Sequence, residues 1–278
     1  MALSPVDIYR DILPKTNCAE CGLPTCLAFA AKVVSEQIPL TDCPHVPPET
    51  AAKFTSELQE QYAAGKWTKR DIAEDALQWA RERAASMRLE DLPDRIGGAL
   101  ETRNGLQTLR LPYFNVSVLI TSGDMILSDG SGLSRWEQVF VNNHLAQGGW
   151  RKPTGTWKAF GELPNTVSKV KSMVEHVQKP LQVCFTGRLD RLRKSALSLG
   201  AREVTGELGS ADAAFVFTPL PRVPVALLFW DEDPAEGFSA EVSLLFDETV
   251  LEHLDIESIL FLSERLQELL CANSSGEA

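Results

Sequence analysis

Four cysteines near the start of the chain constrain its fold more than any other feature. They follow the spacing C-x2-C-x4-C-x16-C and are Cys18, Cys21, Cys26 and Cys43. Four thiols in so short a stretch predict a metal centre, because thiolates are ligands of both zinc and iron–sulfur clusters. An apolar helical run begins at Cys26, which places that sulfur near the positive end of a helix. The sequence therefore predicts a small N-terminal module folded around a metal.

The layout of these cysteines favours an iron–sulfur cluster over zinc. Structural zinc sites use two short Cys or His pairs set well apart. Here three cysteines cluster and the fourth is remote, an arrangement that suits a cubane [4Fe-4S] cluster with its four thiolates. Zinc stays the main alternative, and structural cysteines without any metal are the third. His45, two residues after Cys43, is interpreted as an exposed loop histidine, although it could replace a cysteine as a ligand.

The residues around the cysteines also resemble a known domain. Residues 13–22 read LPKTNCAECG and residues 24–30 read PTCLAFA. This text resembles the four-iron cluster domain that begins the large subunit of corrinoid iron–sulfur proteins, the gamma subunit of acetyl-CoA decarbonylase/synthase. A looser version occurs in electron-transport subunits of the Rnf type. The likeness covers residues 4–46.

That resemblance carries implications for the cofactor and for the partners. It implies that Cys18, Cys21, Cys26 and Cys43 ligate a [4Fe-4S] cluster that carries one low-potential electron. In the corrinoid proteins this electron re-reduces a cobalt cofactor. The resemblance does not imply a corrinoid site here, because the rest of the chain has no room for the barrel that carries the corrinoid in that family.

Composition describes an ordinary globular protein and limits its location. The chain has 278 residues, of which 44% are hydrophobic and 23% are charged, as is usual for such proteins. No apolar run approaches the length of a membrane span, and the N-terminal residues lack the pattern of a signal peptide. Six cysteines, four of them in one motif, fit a reducing compartment. We therefore expect a cytoplasmic protein with no membrane association.

Charge argues against nucleic acid as a partner and is unevenly distributed. The net charge is −11, whereas nucleic-acid binders are usually basic. Residues 151–194 hold ten Lys or Arg against three acids, and residues 231–278 hold thirteen acids against Arg265 alone. Three interpretations stay open: solvated faces of different sign, a basic surface for an acidic partner or an anionic cofactor, and two regions that face each other within the fold.

The hydrophobic pattern predicts an α+β protein: a small helical iron–sulfur module, then a domain with a mainly antiparallel sheet and flanking helices. The expected boundaries are a cluster module over 1–47, a helical connector over 48–95, the α+β domain over 96–272 and a tail over 273–278. Asn104-Gly105 predicts a hairpin within an antiparallel meander. Helices are expected over 5–12, 26–37, 48–64, 68–89, 134–147, 166–178, 187–199 and 255–270, and further strands over 203–206, 213–218, 223–229 and 240–246.

A second resemblance concerns the remainder of the chain. Residues 211–217 read ADAAFVF, residues 219–224 read PLPRVP and residues 245–247 read LFD. They resemble a domain of unknown function that is common in anaerobic bacteria and archaea. That domain is often fused to, or encoded beside, iron–sulfur and corrinoid proteins. The likeness covers residues 60–272 and supplies no catalytic residues. The aromatic and basic loop over 150–165 is the second candidate site, with an ordinary ordered loop as the alternative.

Three functional hypotheses follow. In the first, the protein takes electrons from a ferredoxin-like donor and delivers them singly to a cofactor or redox partner, such as a corrinoid protein. In the second, it is a non-enzymatic maturation, adaptor or redox-sensing protein with a structural cluster. The third is an enzyme with a substrate site in the second domain, where the basic loop could hold a corrinoid by its anionic tail. No nucleophile–base–orienter pattern is readable, so the catalytic residues are unknown and enzymatic activity stays open.

Overall fold

The chain folds into two compact units, Met1–Asp75 and Ala76–Ala278. The computed structural model describes residues 3–67 and 71–274. The expected α+β architecture, a helical segment followed by antiparallel sheets with helices, is confirmed. We expected boundaries at residues 47 and 95, whereas the division falls after Asp75. The reason is that Ala51 and Leu58, in the expected connector, are buried in the core of the first unit.

Eleven α-helices lie in the described residues, and several short turns of other helix types accompany them. They are α1 (Pro5–Asp11), α2 (Cys26–Ser35), α3 (Pro48–Ala63), α4 (Ile72–Ala84), α5 (Leu92–Ile96), α6 (Arg135–Gln147), α7 (Val170–Met173), α8 (Lys179–Phe185), α9 (Leu189–Ser198), α10 (Val250–His253) and α11 (Ile256–Ser274). None of these helices combines the length and the apolar character that a membrane-spanning helix requires.

The first unit is helical because its sequence supplies both start signals and apolar faces. The Ser4 hydroxyl accepts the Asp7 backbone N–H, and the Asp7 carboxylate accepts the Ser4 N–H, which forms a capping box at the start of α1. Helix α1 packs on α2. The apolar core of this unit includes two of the four cysteines and consists of Leu3, Ile8, Ile12, Leu13, Cys26, Phe29, Ala30, Val33, Val34, Leu40, Cys43, Val46, Ala51 and Leu58.

Helix α4 is shorter than the sequence predicts. We expected a helix over 68–89 that begins at Thr68, and residues 68–70 lie outside the described part of the chain. The described helix begins at Ile72 and ends at Ala84, and a short 3-10 turn over Leu89–Asp91 leads into α5. Pro93 near the start of α5 fits this interruption, because proline is tolerated in the first turn of a helix and breaks its interior.

The second unit begins with a four-stranded antiparallel meander in the order β1-β2-β3-β4. Its strands are β1 (Ala99–Arg103), β2 (Leu106–Tyr113), β3 (Val116–Ile120) and β4 (Met125–Leu127). The predicted hairpin is confirmed, with Arg103 opposite Leu106. Asn104 and Gly105 both adopt positive φ, of 50° and 77°, which is the backbone that a two-residue type I′ turn requires.

A five-stranded antiparallel sheet follows, in the order β5-β9-β8-β7-β6. Its strands are β5 (Trp157–Ala159), β6 (Arg202–Glu203), β7 (Ala213–Leu220), β8 (Val223–Trp230) and β9 (Glu241–Asp247). The apolar run at β8 lies in the centre, as the sequence predicts, and pairs with both β7 and β9. The expectation of a plain loop over 150–165 is wrong in part, because β5 pairs with β9 there and a 3-10 turn follows it.

The helical stretch after this loop also differs from expectation. We predicted a helix over 166–178, but helical turns run on from α7 through a π-helical segment, Val174–Gln178, into α8, which ends at Phe185. The wider π turn lies just before Pro180, which has no N–H to donate to a standard helical hydrogen bond. The last helix likewise continues to Ser274, past the predicted end at residue 270.

Close packing in the second unit depends on one glycine. Gly148 follows α6, and a Cβ atom at this position would lie 2.1 Å from Ile96 Cγ2 on α5. No side chain larger than hydrogen fits at that distance. Gly148 therefore permits the close approach of α5 to the end of α6.

Candidate metal centre

The segment that carries the first two cysteines has an unusual backbone. Lys15, Asn17 and Ala19 adopt positive φ angles of 62°, 50° and 62°. Residues other than glycine rarely adopt this conformation, which costs free energy, and such residues gather at functional sites. Cys18 lies between Asn17 and Ala19, so this tight winding of the chain determines where its sulfur points.

Side chains that we did not identify from the sequence tie this segment to α2. The Asn17 Oδ1 atom accepts the Cys26 backbone N–H at 2.8 Å. Thr25 is the N-cap of α2, and its hydroxyl accepts the Ala28 N–H at 3.1 Å. The sequence could have identified Thr25 as the cap, because threonine is a common N-cap residue whose hydroxyl accepts the N–H three positions later. Asn17 gave no local signal, because its partner lies nine residues away.

The four cysteines differ in exposure. Cys18 is exposed and Cys21 is half-buried, whereas Cys26 and Cys43 are buried within the apolar core of the unit. A group held by all four sulfurs would therefore have one edge at the surface and the opposite edge in the core.

The structure brings the four thiols together. Burial raises the pKa of Cys43, and the nearby sulfurs of Cys21, Cys26 and Cys18 raise it further, while the backbone N–H of His45 lowers it by donating to the sulfur. Yet among the described residues no three cysteine sulfurs lie within 4.8 Å of one another. The thiols of Cys18, Cys21 and Cys26 thus lie near that of Cys43, and the four do not form a tight cluster.

Hydrogen bonds favour the ionised form of the exposed cysteine. The Glu20 backbone N–H lowers the pKa of Cys18 most, followed by the Thr16 hydroxyl, and the His45 side chain adds to this effect. Glu20 and His45 each lie two residues after a cysteine, and each donates its backbone N–H to that cysteine's sulfur. Thiolates are the form that binds metal, and hydrogen bonds to sulfur tune the potential of a cluster.

His45 lies closer to the thiols than the sequence predicts. Its Nε2 atom is 3.0 Å from Glu20 Oε2. The side chains of Cys18, Glu20 and His45 form the one group of three potential metal ligands within 4.8 Å that occurs in the described residues, and all three are exposed. His45 is indeed an exposed loop histidine, but its place beside Cys18 was not foreseen.

The second candidate site, the loop over 150–165, is held in place by hydrogen bonds to Asp247. The buried Asp247 carboxylate accepts the backbone N–H groups of Thr154 and Gly155 at 2.9 and 2.7 Å. It also accepts the Thr249 N–H and hydroxyl. Burial alone would raise the pKa of Asp247, but these hydrogen bonds lower it overall. The loop is thereby fixed to the end of β9, in agreement with the structural alternative.

Some of the unevenly distributed charges pair with one another within the second unit. Arg151 contacts Glu248 and Glu252 at 2.8 and 3.2 Å. Lys169 contacts Glu257 at 2.6 Å, and His176 lies 3.2 Å from Glu264. These contacts join the basic and acidic stretches, which supports the third interpretation of the charge pattern and weakens the case for an anionic cofactor at the basic loop.

Comparisons with known proteins agree with the geometry of the thiol site. Residues 13–45 match the family model described as "Putative Fe-S cluster". The acetyl-CoA decarbonylase/synthase complex subunit gamma 2 of Methanosarcina mazei is 46% identical over 57 residues, which are 20% of this chain and 12% of the relative. The corrinoid/iron-sulfur protein large subunit of Moorella thermoacetica is 52% identical over 46 residues, 16% of this chain and 10% of the relative.

The likeness to these relatives is thus local, since the chain spans about a tenth of the length of each. The gamma subunit of Methanothermobacter thermautotrophicus is similar in the same way, at 38% identity over 58 residues, 21% of this chain and 12% of the relative. Together these findings support an iron–sulfur cofactor in the first unit and confirm the first resemblance seen in the sequence.

The second unit gives a broader match. No solved structure matches the chain. Residues 88–268, well over half of the chain, match the family model described as a domain of unknown function, DUF3786. The chain therefore belongs to the DUF3786 family, and in it an iron–sulfur type segment precedes the family domain.

Proposed function

We propose that this protein holds a [4Fe-4S] cluster on Cys18, Cys21, Cys26 and Cys43 and delivers single low-potential electrons to a partner. The observation that carries the proposal is the convergence of the four thiols, with one sulfur at the surface and two in the core. A bound cluster of this type supplies one-electron redox chemistry. The chain supplies the ligands, the hydrogen bonds and the orientation.

The spacing of the sulfurs supports a cluster over zinc. In a tetrahedral Zn²⁺ site with Zn–S bonds of ~2.3 Å, the sulfurs lie about 3.8 Å apart. No three of the described cysteine sulfurs lie within 4.8 Å of one another, which is a wider spacing than that of a tetrahedral zinc site. In a four-iron cluster each thiolate binds a different iron, which holds the sulfurs farther apart.

The difference in exposure between the cysteines supports electron transfer. The buried sulfurs of Cys26 and Cys43 keep one side of the site away from water, while the exposed Cys18 brings the other side to the protein surface. A redox partner that docks beside Cys18 reaches the site without any change in the fold. Backbone N–H groups from Glu20 and His45 donate to the sulfurs at this site and stabilise negative charge there.

The names of the relatives support a place in corrinoid or one-carbon metabolism. They are a gamma subunit of an acetyl-CoA decarbonylase/synthase complex and a corrinoid/iron-sulfur protein. On this basis we assign a ferredoxin-like protein as the electron donor and a corrinoid protein as the acceptor, in the cytoplasm of an anaerobe. The cofactor of the acceptor belongs to that partner, since Arg151 of the basic loop already pairs with Glu248 and Glu252.

A redox titration tests the proposal. The protein is purified without oxygen and titrated while the electron paramagnetic resonance (EPR) signal of the reduced cluster is recorded. We expect a one-electron transition below about −400 mV, within the range that such clusters reach, and oxidation of the reduced protein by a corrinoid protein. A cluster that no reductant can reduce would contradict electron delivery and favour a structural or sensing cluster.

A further inference from the structure

A cavity of about 460 Å³ opens in the second unit between α4, α6 and the hairpin that joins β3 and β4. Its volume falls within the ~300–1,000 Å³ that is usual for small-molecule sites. The floor is apolar and consists of Leu92, Ile120 and Leu145, which are at most 4% exposed. The thioether side chains of Met87 and Met125 also line the cavity, and methionine adapts readily to ligand shape.

One buried polar group in the cavity has an unused hydrogen-bonding atom. Asn142 on α6 is 5% exposed and lines the cavity. Its amide nitrogen donates to the Gln138 carbonyl at 2.8 Å, but its Oδ1 atom accepts no hydrogen bond from any residue that the structure describes. This oxygen is not fully buried, so it faces the open space of the cavity and can accept a hydrogen bond from a ligand.

A cation lies on the same wall. The Arg81 guanidinium donates to Gln138 Oε1 at 2.8 Å, and Gln138 is also the residue that Asn142 contacts. In the described chain Arg81 makes no ion pair, so most of its donors are available to an anion. At the rim, the Asp124 carboxylate accepts a hydrogen bond from the neighbouring Met125 N–H and is exposed. Glu90 is a second carboxylate in the lining, so the cavity offers an acceptor, a cation and two anions above an apolar floor.

We propose that this cavity binds a small zwitterion with an apolar body, of which an apolar α-amino acid is the simplest example. The ligand's ammonium group donates to Asn142 Oδ1 near the Asp124 carboxylate. The ligand's carboxylate accepts hydrogen bonds from the guanidinium of Arg81. An arginine and a carboxylate form strong charge-assisted hydrogen bonds. The ligand's apolar side chain covers Leu92, Ile120 and Leu145. This inference stands apart from electron transfer, because it uses no residue of the thiol site.

Three probes with one shared apolar body separate the contributions of the two charges. L-Tryptophan carries both charges, tryptamine lacks the carboxylate, and 3-indolepropionate lacks the ammonium group. Titration calorimetry on the full chain is expected to show saturable binding of L-tryptophan, with L-leucine and L-methionine as smaller probes. Each indole that lacks one charge is expected to bind ~10-fold to ~100-fold more weakly, as is usual when a hydrogen bond to a charged group is lost.

Two variants assign the charges to residues. Arg81→Gln removes an exposed cation without disturbing the core. It is therefore expected to weaken the binding of L-tryptophan by the same factor and to leave the binding of tryptamine unchanged. Asn142→Leu is expected to weaken the binding of L-tryptophan and of tryptamine but not the binding of 3-indolepropionate. Arg202→Gln is the matched control, because Arg202 is 65% exposed and neither Arg202 nor its partner Glu207 lines the cavity, so this variant should have no effect. Absence of binding by all three amino acids, or equal binding by wild type and Arg81→Gln, would overturn the proposal.

Discussion

The two units of this molecule are held together in different ways. The first unit consists of short helices, and among its described residues there is no β-strand. Its apolar core includes Cys26 and Cys43. The second unit has two sheets, and its core contains many large side chains, such as Phe215, Phe229 and Phe246, with no exposure to solvent.

This difference indicates which unit depends on a metal. Below ~70–80 residues a single apolar core rarely suffices, and small domains often add a structural metal or disulfides. The first unit is of that size and carries four thiols and four residues other than glycine with positive φ. The second unit buries enough apolar surface to fold by itself. We therefore expect metal to stabilise the first unit and to have no effect on the folding of the second.

The largest expected effect is on the first unit, when its metal is removed. Treatment of the reduced protein with a strong iron chelator is expected to unfold residues up to about 75 and leave the second unit intact, because structural metal binding supplies folding free energy. Limited proteolysis followed by mass spectrometry measures this as rapid cleavage before Ala76 and protection after it. If both units resisted proteolysis equally after complete loss of iron, metal would not be what stabilises the first unit.

A core substitution in the second unit should show the reverse behaviour. Phe229 lies in the central strand β8 and has no exposure. Phe229→Ala is expected to cost ~3–5 kcal/mol of unfolding free energy through the cavity that it leaves. Denaturant unfolding of the second unit measures the loss, while the absorbance of the cluster should not change. Phe238→Ala, at a side chain that is 65% exposed, is the control and should cost under ~0.5 kcal/mol.

Acid should destabilise the second unit through its buried histidines. Burial lowers the pKa of His144 from 6.5 to about 3, and burial also lowers the pKa of His253. The unfolded chain takes up protons below pH 6.5 that the folded chain does not bind. The stability contributed by His144 is therefore complete above pH 6.5 and falls as the pH drops towards 3, by ~1.4 kcal/mol per pH unit, and His253 adds a loss in the same direction.

Denaturant unfolding of the second unit between pH 7 and pH 4.5 measures this slope. His144→Gln is expected to reduce it, since the substituted side chain does not titrate in that range. The exposed His176 serves as the comparison, and His176→Gln should leave the slope as it is in the wild type. A slope that is the same in all three proteins would show that other groups cause the acid sensitivity.

The smallest effect is expected at an ion pair between the basic and acidic stretches. Lys169 lies 2.6 Å from Glu257, and both side chains are partly exposed. Lys169→Gln is expected to cost between ~0.2 and ~1 kcal/mol, because solvent screens exposed pairs. The cost should shrink further in 1 M salt. A loss of several kcal/mol at Lys169 would mean that charge pairing, rather than the apolar core, holds the second unit together.

Sequence reasoning succeeded where the signal is local. The Asn104-Gly105 hairpin, the apolar strand β8 and the helix expected over 134–147 each depend on a few adjacent residues, and the structure has all three. The four cysteines and their shared module were likewise readable from spacing. The sequence analysis missed β5 and α8. Strand β5 depends on pairing with the distant strand β9, and α8 depends on how the backbone adjusts around a proline.

The finer detail of the thiol site was missed for the same reason. Asn17 binds the N–H of Cys26 nine residues later, and His45 meets Glu20 across the site. Neither pairing has a spacing rule that predicts it, because each arises only when the loop closes on itself. The charge pattern was seen in the sequence, but only the folded chain shows that Arg151 pairs with Glu248 and Glu252.

The most direct test of the central claim is the metal content of the first unit. The protein, purified without oxygen, is analysed for iron, acid-labile sulfide and zinc, beside a Cys43→Ala variant. The account predicts about four irons and four sulfides per chain with little zinc, as a cubane cluster requires, and loss of the intact four-iron cluster in the variant. Stoichiometric zinc without sulfide in the wild type, or an unchanged four-iron cluster in Cys43→Ala, would contradict it.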